Sequence, residues 1–311
     1  MSTLRQAAED YLAIRRSLGF KLVAEGYLLH SFVGYAEQAG ASRLTVDLAL
    51  DWAGLPAGKD PVWCAKRLGV VRGFARHLQT LDPATEIPPA DLLPRQTRRA
   101  TPYLYTSQEV AGLMAAAGRL RSPLLAATYE TLIGLLVSSG MRVGEAIRLD
   151  RADIDFDDGV ITVVAGKSGR WREVPLHPDT TAALDRYARR RDVLCPAPQA
   201  ASFFVSSAGT RLIPACVRRT FGDLVRAAGL HPRSARCRPR IHDFRHRFAV
   251  STLLEWYRAG VDVQARLPLL SAYLGHVDPT STYWYLEATP ELLALAAARQ
   301  QRVLQGPGGI A

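Results

Sequence analysis

Val160-Ile161-Thr162-Val163-Val164 is a run of β-branched residues, Gly166-Lys167-Ser168-Gly169 follows it, and Trp171 to Pro175 returns. β-Branched side chains favour the pleated strand over the helix, and a Gly-rich step between two such runs reverses the chain. The stretch therefore reads as a β-hairpin with its turn at Lys167 to Arg170. The remaining segments are helical in pattern. The fold class expected is mainly α with a small antiparallel β-sheet.

Outward from the hairpin, helices are expected on both sides. Upstream, Thr106-Ser107-Gln108-Glu109 has the spacing of a capping box and opens a helix to about Ala117. Ser122 to Ser139 reads as a longer helix, apolar almost all round and so buried. Downstream, helices are expected over Asp179 to Val193, Pro214 to Ala228, His242 to Tyr257, Gln264 to Leu274 and Thr280 to Val303. Residues 1–93 show no strand alternation. Helical spacing marks Leu4 to Leu18, Leu22 to Ala39, Val46 to Ala53 and Val62 to Leu81. Pro83, Pro88, Pro89 and Pro94 then stop helix propagation. The organisation expected is a helical domain over 1–93, a basic linker over 94–105 and a second domain over 106–311.

Composition narrows the partner. The net charge of +10 suits a polyanion such as nucleic acid, although it would also suit a membrane surface. The 39 basic residues include lysine only at positions 21, 59, 66 and 167, which leaves 35 arginines and makes Lys167 the one lysine of the second domain. Cys64, Cys195, Cys216 and Cys237 show no C-x-x-C spacing, so neither a zinc site nor a disulfide framework is expected. Met1 to Phe20 lacks the apolar core of a signal peptide, and Leu132 to Val137 is too short to span a bilayer. A cytoplasmic protein is expected.

Four segments carry the candidate chemistry: Gly140-Met141-Arg142-Val143-Gly144-Glu145, the turn with Lys167, His242-Asp243-Phe244-Arg245, and Leu274-Gly275-His276 with Tyr285 nine residues after the histidine. Taken singly, each has an ordinary explanation. An arginine after a buried helix is commonly a cap or an ion-pair partner, and a lysine in a turn is commonly solvated. Their order and spacing together resemble the tyrosine recombinase (phage integrase) family, which includes the Xer recombinases. The resemblance covers about Thr106 to Val303, and the flanking run Ile241-His242-Asp243-Phe244-Arg245-His246-Arg247-Phe248-Ala249 shares it. Arg247, where many relatives carry threonine, and Glu287, where many carry histidine, are departures outside the core set.

That resemblance implies an N-terminal helical core-binding (SAM-like) domain and a C-terminal tyrosine recombinase catalytic domain. It implies a site-specific DNA recombinase or integrase that works through a 3′-phosphotyrosyl intermediate, without cofactor, ATP or metal. Double-stranded DNA would be its substrate. A homo-tetramer would act on two DNA sites, with partner recombinases or accessory proteins as further candidates. Thr289-Pro290-Glu291-Leu292-Leu293 is similar to integrases of transposons, hence of mobile elements, and the amphipathic stretch Thr289 to Ala298 is a candidate for docking on a neighbouring protomer.

The residue types fit that chemistry. Phosphodiester exchange is slow enough to require on the order of 20 kcal/mol of transition-state stabilisation. Arg142 and Arg245 would clamp the nonbridging oxygens with forked, permanently charged donors, and His276 would add another donor. Tyr285 would attack; with an ordinary pKa of about 10, only roughly one tyrosine in a thousand is ionised at neutral pH, so His242 is assigned as its base. Lys167 would protonate the leaving 5′-hydroxyl. Glu145, three residues after Arg142, would orient it. Tyr283 and Tyr273 are rival nucleophiles, and the family spacing selects Tyr285. Arg95, Arg98 and Arg99 in the linker, Arg170 in the hairpin turn, and Arg233, Arg236, Arg238 and Arg240 before His242 are candidate contacts to DNA phosphates. Arg189-Arg190-Arg191 reads as a solvated helix face. A type IB topoisomerase and a non-catalytic DNA-binding protein are the rival readings.

Overall fold

The computed structural model describes residues 3–55, 58, 60–94, 101–164, 171–276, 282, 285, 292–295 and 297. The chain divides into two compact units, Met1–Ala100 and Thr101–Ala311.

The first unit holds α1 (Leu4–Ser17), α2 (Val23–Gln38), α3 (Val46–Gly54) and α4 (Pro61–Gln79). Thr3, Thr45 and Asp60 cap three of these, each side chain accepting from a backbone N–H of the first turn. Leu12, Leu29, Phe32, Trp52, Leu68 and Phe74 form the core. Arg67 lies buried inside it, its guanidinium 3.9 Å over the Trp52 ring and donating to the Trp52 carbonyl at 2.6 Å. From within α4, Arg72 donates to the carbonyls of Pro88 (2.6 Å) and Pro89 (2.7 Å), which ties the proline segment back to the bundle.

The second unit begins earlier than Thr106. Tyr103 and Tyr105 are buried in its core; the Tyr103 hydroxyl donates to Glu109 at 2.6 Å and that of Tyr105 to the Arg240 carbonyl at 3.1 Å. Residues 101–105 are thus part of the packed unit rather than of a linker. The capping box forms as expected at the start of α5 (Ser107–Gly118). Then α6 (Pro123–Ser139) runs through the core and ends at Gly140, whose φ of +62° is the left-handed conformation that closes a helix.

A short α7 (Val143–Ala146) leads to the three antiparallel strands β1 (Ile154–Asp155), β2 (Val160–Val164) and β3 (Trp171–Pro175), in that order across the sheet. The two hairpin strands match the sequence expectation, while β1 is additional. With only two residues, it presents no alternation to read. Ile161 and Val174 pair across β2–β3 and both are fully buried, so this face of the sheet joins the core.

Four more helices follow: α8 (Pro178–Leu194), α9 (Pro214–Ala227), α10 (Asp243–Arg258) and α11 (Val263–Leu274). The expectation of a solvated arginine face on α8 fails at Arg191. That side chain is buried and donates to the carbonyls of Ser202 and Phe203, both at 3.0 Å. The expected helix over 280–303 lies mostly outside the described residues. Among the described residues no helix is long and apolar enough to cross a membrane.

Candidate active site

The left-handed turn at Gly140 sends the chain back across the end of α6 and places Arg142 at the N-terminal boundary of α7. Glu145, one turn further on, folds back to it. Its Oε2 accepts from the Arg142 backbone N–H at 3.0 Å and its Oε1 from Arg142 Nη1 at 2.8 Å. A second guanidinium, that of Arg172 on β3, meets the same carboxylate, with Nη2–Oε2 at 2.9 Å and Nη1–Oε1 at 3.3 Å. Burial alone would raise the Glu145 pKa. The hydrogen bonds and charge of Arg172, joined by those of Arg142, overcome it and push the pKa down to about 2.

Helix α11 ends beside this pair. Gly275 takes the left-handed conformation (φ +69°), and the last carbonyls of the helix face three arginines. Arg172 Nε donates to the Tyr273 carbonyl at 2.9 Å, Arg245 Nη2 to that of Leu274 at 2.6 Å, and Arg142 Nη2 to that of Gly275 at 3.1 Å. Helix C-terminal carbonyls lack intrahelical partners and carry partial negative charge, so guanidiniums suit them. His276 follows at once, its Nδ1 2.7 Å from the Thr282 hydroxyl. Burial, with the charges of Arg245 and Arg142, pushes the His276 pKa down to about 4, so the ring is neutral at pH 7.

Arg245 projects from the first turn of α10 into the interior, 2% exposed, and also donates to the Gly140 carbonyl at 3.0 Å. Burial and the charge of Arg142 lower its pKa to about 10, against the opposing pull of a hydrogen bond with Tyr285. Tyr285 is itself buried. Its ring stacks on His276 (centroids 6.0 Å apart, 23° between planes) and packs on His246 at 5.4 Å. His246 in turn meets His242 edge-on at 5.0 Å. The His242 pKa is lowered by partial burial and by Arg245. Asp243, fully buried, accepts from Arg240 Nε (3.1 Å) and Nη2 (2.7 Å) and lies 3.8 Å from His246 Nε2.

Of the residues singled out in the sequence, the fold thus gathers Arg142, Glu145, His242, Arg245, His276 and Tyr285 in one cluster. Lys167, Arg170, Arg95, Arg98, Arg99 and the rival Tyr283 lie outside the described residues. Tyr273 is committed elsewhere: it stacks on Phe248, its hydroxyl donates to the Pro175 carbonyl at 3.4 Å, and burial pushes its pKa up to about 12. The basic stretch before His242 divides. Arg233 pairs with Glu109 at 3.1 Å and lies over the Tyr103 ring, and Arg240 pairs with Asp243, whereas Arg236 and Arg238 are exposed. Three members of the cluster were not assigned from sequence: Arg172, Asp243 and His246. Arg172 had a readable signal, because it shares the inward face of β3 with Val174, and a charge on a core-facing strand position needs a partner.

A helical unit with a small sheet, closing around two arginines, two histidines and a tyrosine, is the architecture of the tyrosine-type site-specific recombinases. The integrase of transposon Tn1549, solved with transposon right end DNA, superposes with a TM-score of 0.68 over 97% of this chain and 100% of that one, at 17% identity. A lambda integrase dimer bound to a core site gives 0.64 over 92% and 78%, at 19% identity. Residues 104–291 match the phage integrase family. Over 97% of this chain and 98% of the relative, the sequence is 44% identical to y4rB of Sinorhizobium fredii (strain NBRC 101917 / NGR234), a protein named for integrase/recombinase activity. Tyrosine recombinase XerC of Pseudomonas syringae pv. tomato is 30% identical over 71% of this chain and 68% of its own. The chain belongs to the phage integrase family of tyrosine site-specific recombinases.

Proposed function

We propose that this recombinase cuts DNA by attack of the Tyr285 hydroxyl on a backbone phosphate, forming a 3′-phosphotyrosyl link and releasing a 5′-hydroxyl, and rejoins strands by the reverse step without ATP or metal. The observation that carries the reading is the packing of Tyr285 against His276 with a hydrogen bond to Arg245. A phenol in that position meets the two kinds of group a pentacoordinate phosphorane needs: fixed cations and a neutral donor.

Arg142, partly exposed, and Arg245 are assigned to the nonbridging oxygens, with a neutral His276 adding a hydrogen bond as charge accumulates there. A guanidinium has five N–H donors, so the carbonyl contacts that hold each arginine still leave donors for phosphate. His242, whose lowered pKa leaves it unprotonated at neutral pH, is assigned as the base for the Tyr285 proton. Lys167 is assigned as the acid that protonates the leaving oxygen.

The first unit is assigned to DNA core binding. Related structures include a lambda integrase tetramer on a Holliday junction, which supports a tetramer pairing two DNA sites here, with partner recombinases or accessory proteins as additional components. The Tn1549 likeness supports a role in a mobile element. A substrate of double-stranded DNA supports a cytoplasmic location.

Covalent trapping tests this. The protein is mixed with duplex fragments from the flanks of its own gene, nicked so that the 5′-hydroxyl piece is lost, then denatured. An adduct to a DNA 3′ end, abolished in Tyr285→Phe and kept in Tyr283→Phe, is expected. An adduct that survives Tyr285→Phe overturns the assignment. Relaxation of supercoiled DNA at any sequence, with no recombinants, would show a type IB topoisomerase instead. Retained DNA binding with no adduct would show a binding protein.

A further inference from the structure

Arg172 lies outside the six-residue set, yet it touches each element that carries an arginine or histidine of the cluster except α10. Its Nη atoms take one side of Glu145 while Arg142 takes the other, and its Nε holds the Tyr273 carbonyl two residues before Gly275. Its guanidinium also lies against Gly275: a Cβ built there would be 2.7 Å from Nη1 and 2.9 Å from Cζ. The backbone of Arg172 is fixed by pairing with Val163, a residue only 2% exposed. One planar side chain on β3 therefore bridges the Arg142 turn and the end of α11, beside the direct Arg142–Gly275 contact.

We propose that Arg172 is a positioning residue of the strand-cleavage reaction, holding Arg142 through Glu145 and His276 through the carbonyl end of α11. The proposal rests on the phosphotyrosyl reading of the site. Three features support it. Glu145 is buried and would be left with a single guanidinium if Arg172 were lost, so the carboxylate and Arg142 would both shift. The end of α11 would lose one of three successive carbonyl contacts, the one furthest from His276 but the only one supplied from the sheet. The fork matters as well as the charge: Nε serves one element and the two Nη atoms another, a division an ammonium cannot make.

The test is single-turnover adduct formation on the nicked fragments described above, beside duplex affinity and thermal stability. Arg172→Gln is expected to slow adduct formation about 10²-fold, the scale for a misplaced transition-state donor, with duplex affinity within about twofold of wild type. Arg172→Lys keeps the charge opposite Glu145 and is expected to recover about tenfold of that loss; it also serves if the glutamine variant fails to fold. Because Arg172 acts in part through Arg142, Arg172→Gln is expected to slow the Arg142→Gln protein by clearly less than it slows wild type. A folded Arg172→Gln that cleaves at the wild-type rate, or single-variant losses that multiply in full in the Arg142→Gln/Arg172→Gln double variant, overturns the proposal. Wild-type protein that forms no adduct on any fragment overturns instead the reading on which it rests.

Discussion

A methyl group on the α-carbon of Gly275 would sit 2.7 Å from Nη1 of Arg172, closer than carbon and nitrogen approach without displacement. Gly275 also has φ +69°, so a side chain there is strained before any contact is considered. Gly275→Ala is expected to destabilise the protein by about 1–3 kcal/mol and to slow adduct formation as Arg172 is pushed aside. Gly140→Ala, where the methyl would lie 2.5 Å from the Phe248 ring at φ +62°, is expected to cost a similar amount. Urea denaturation checks both; midpoints equal to wild type would contradict the close packing.

Glu145 links pH to stability. Its folded pKa of about 2 lies below its ordinary value of 4.5. The ionised form is thus favoured by folding, and the stability this contributes is fully present above about pH 4.5 and is lost as pH falls toward 2. The shift corresponds to about 3 kcal/mol as an upper value. Glu145→Gln is expected to be less stable than wild type at pH 7 and to show a shallower loss of stability between pH 4.5 and 2.5. Parallel denaturation curves for the two proteins across that window would rule this out.

His276 has the reverse charge type but the same sense of pH dependence. Its folded pKa of about 4 lies below the ordinary 6.5, so the neutral ring is favoured by folding and stability falls as pH drops through 6.5 toward 4. Nuclear magnetic resonance of the imidazole is expected to show it neutral at pH 6 in the free protein. Adding duplex DNA is expected to raise the pKa, because a phosphate brings negative charge to the ring. A ring that titrates near 6.5 in free protein and does not respond to DNA would contradict both the burial and the assigned role.

The arginines before His242 are expected to separate by experiment. Arg240→Ala leaves the buried Asp243 carboxylate without its main partner and is expected to cost about 3 kcal/mol, more than Asp243→Asn, which leaves only a half-exposed arginine to be hydrated. Arg236→Ala and Arg238→Ala are expected to leave stability unchanged and each to reduce by about one the slope of log affinity against log salt for duplex DNA. Equal behaviour of all the variants would mean the structural division has no energetic content.

Local chemistry made much of this protein readable along the chain. The apolar run of Ser122 to Ser139, the Thr106–Glu109 capping box and the β-branched hairpin strands are each decided by neighbours within a few residues, and all appear at their expected places. The spacing from Arg142 through His242, Arg245 and His276 to Tyr285 marked the cluster, because family resemblance is itself a property of the sequence.

What sequence could not show is which charges face each other across many intervening residues. Arg191 looked like one of three solvated arginines and is buried against the Ser202 and Phe203 carbonyls; Tyr103 and Tyr105 looked like linker and are core. Arg172 meets Glu145 27 residues away and Tyr273 101 residues away. Sequence by itself marked the longer elements and six residues of the cluster, since propensity, capping and spacing act locally. Only tertiary structure decided that two guanidiniums share the Glu145 carboxylate and that three meet the end of one helix, because a buried charge takes its partner from whatever the fold brings within hydrogen-bonding distance.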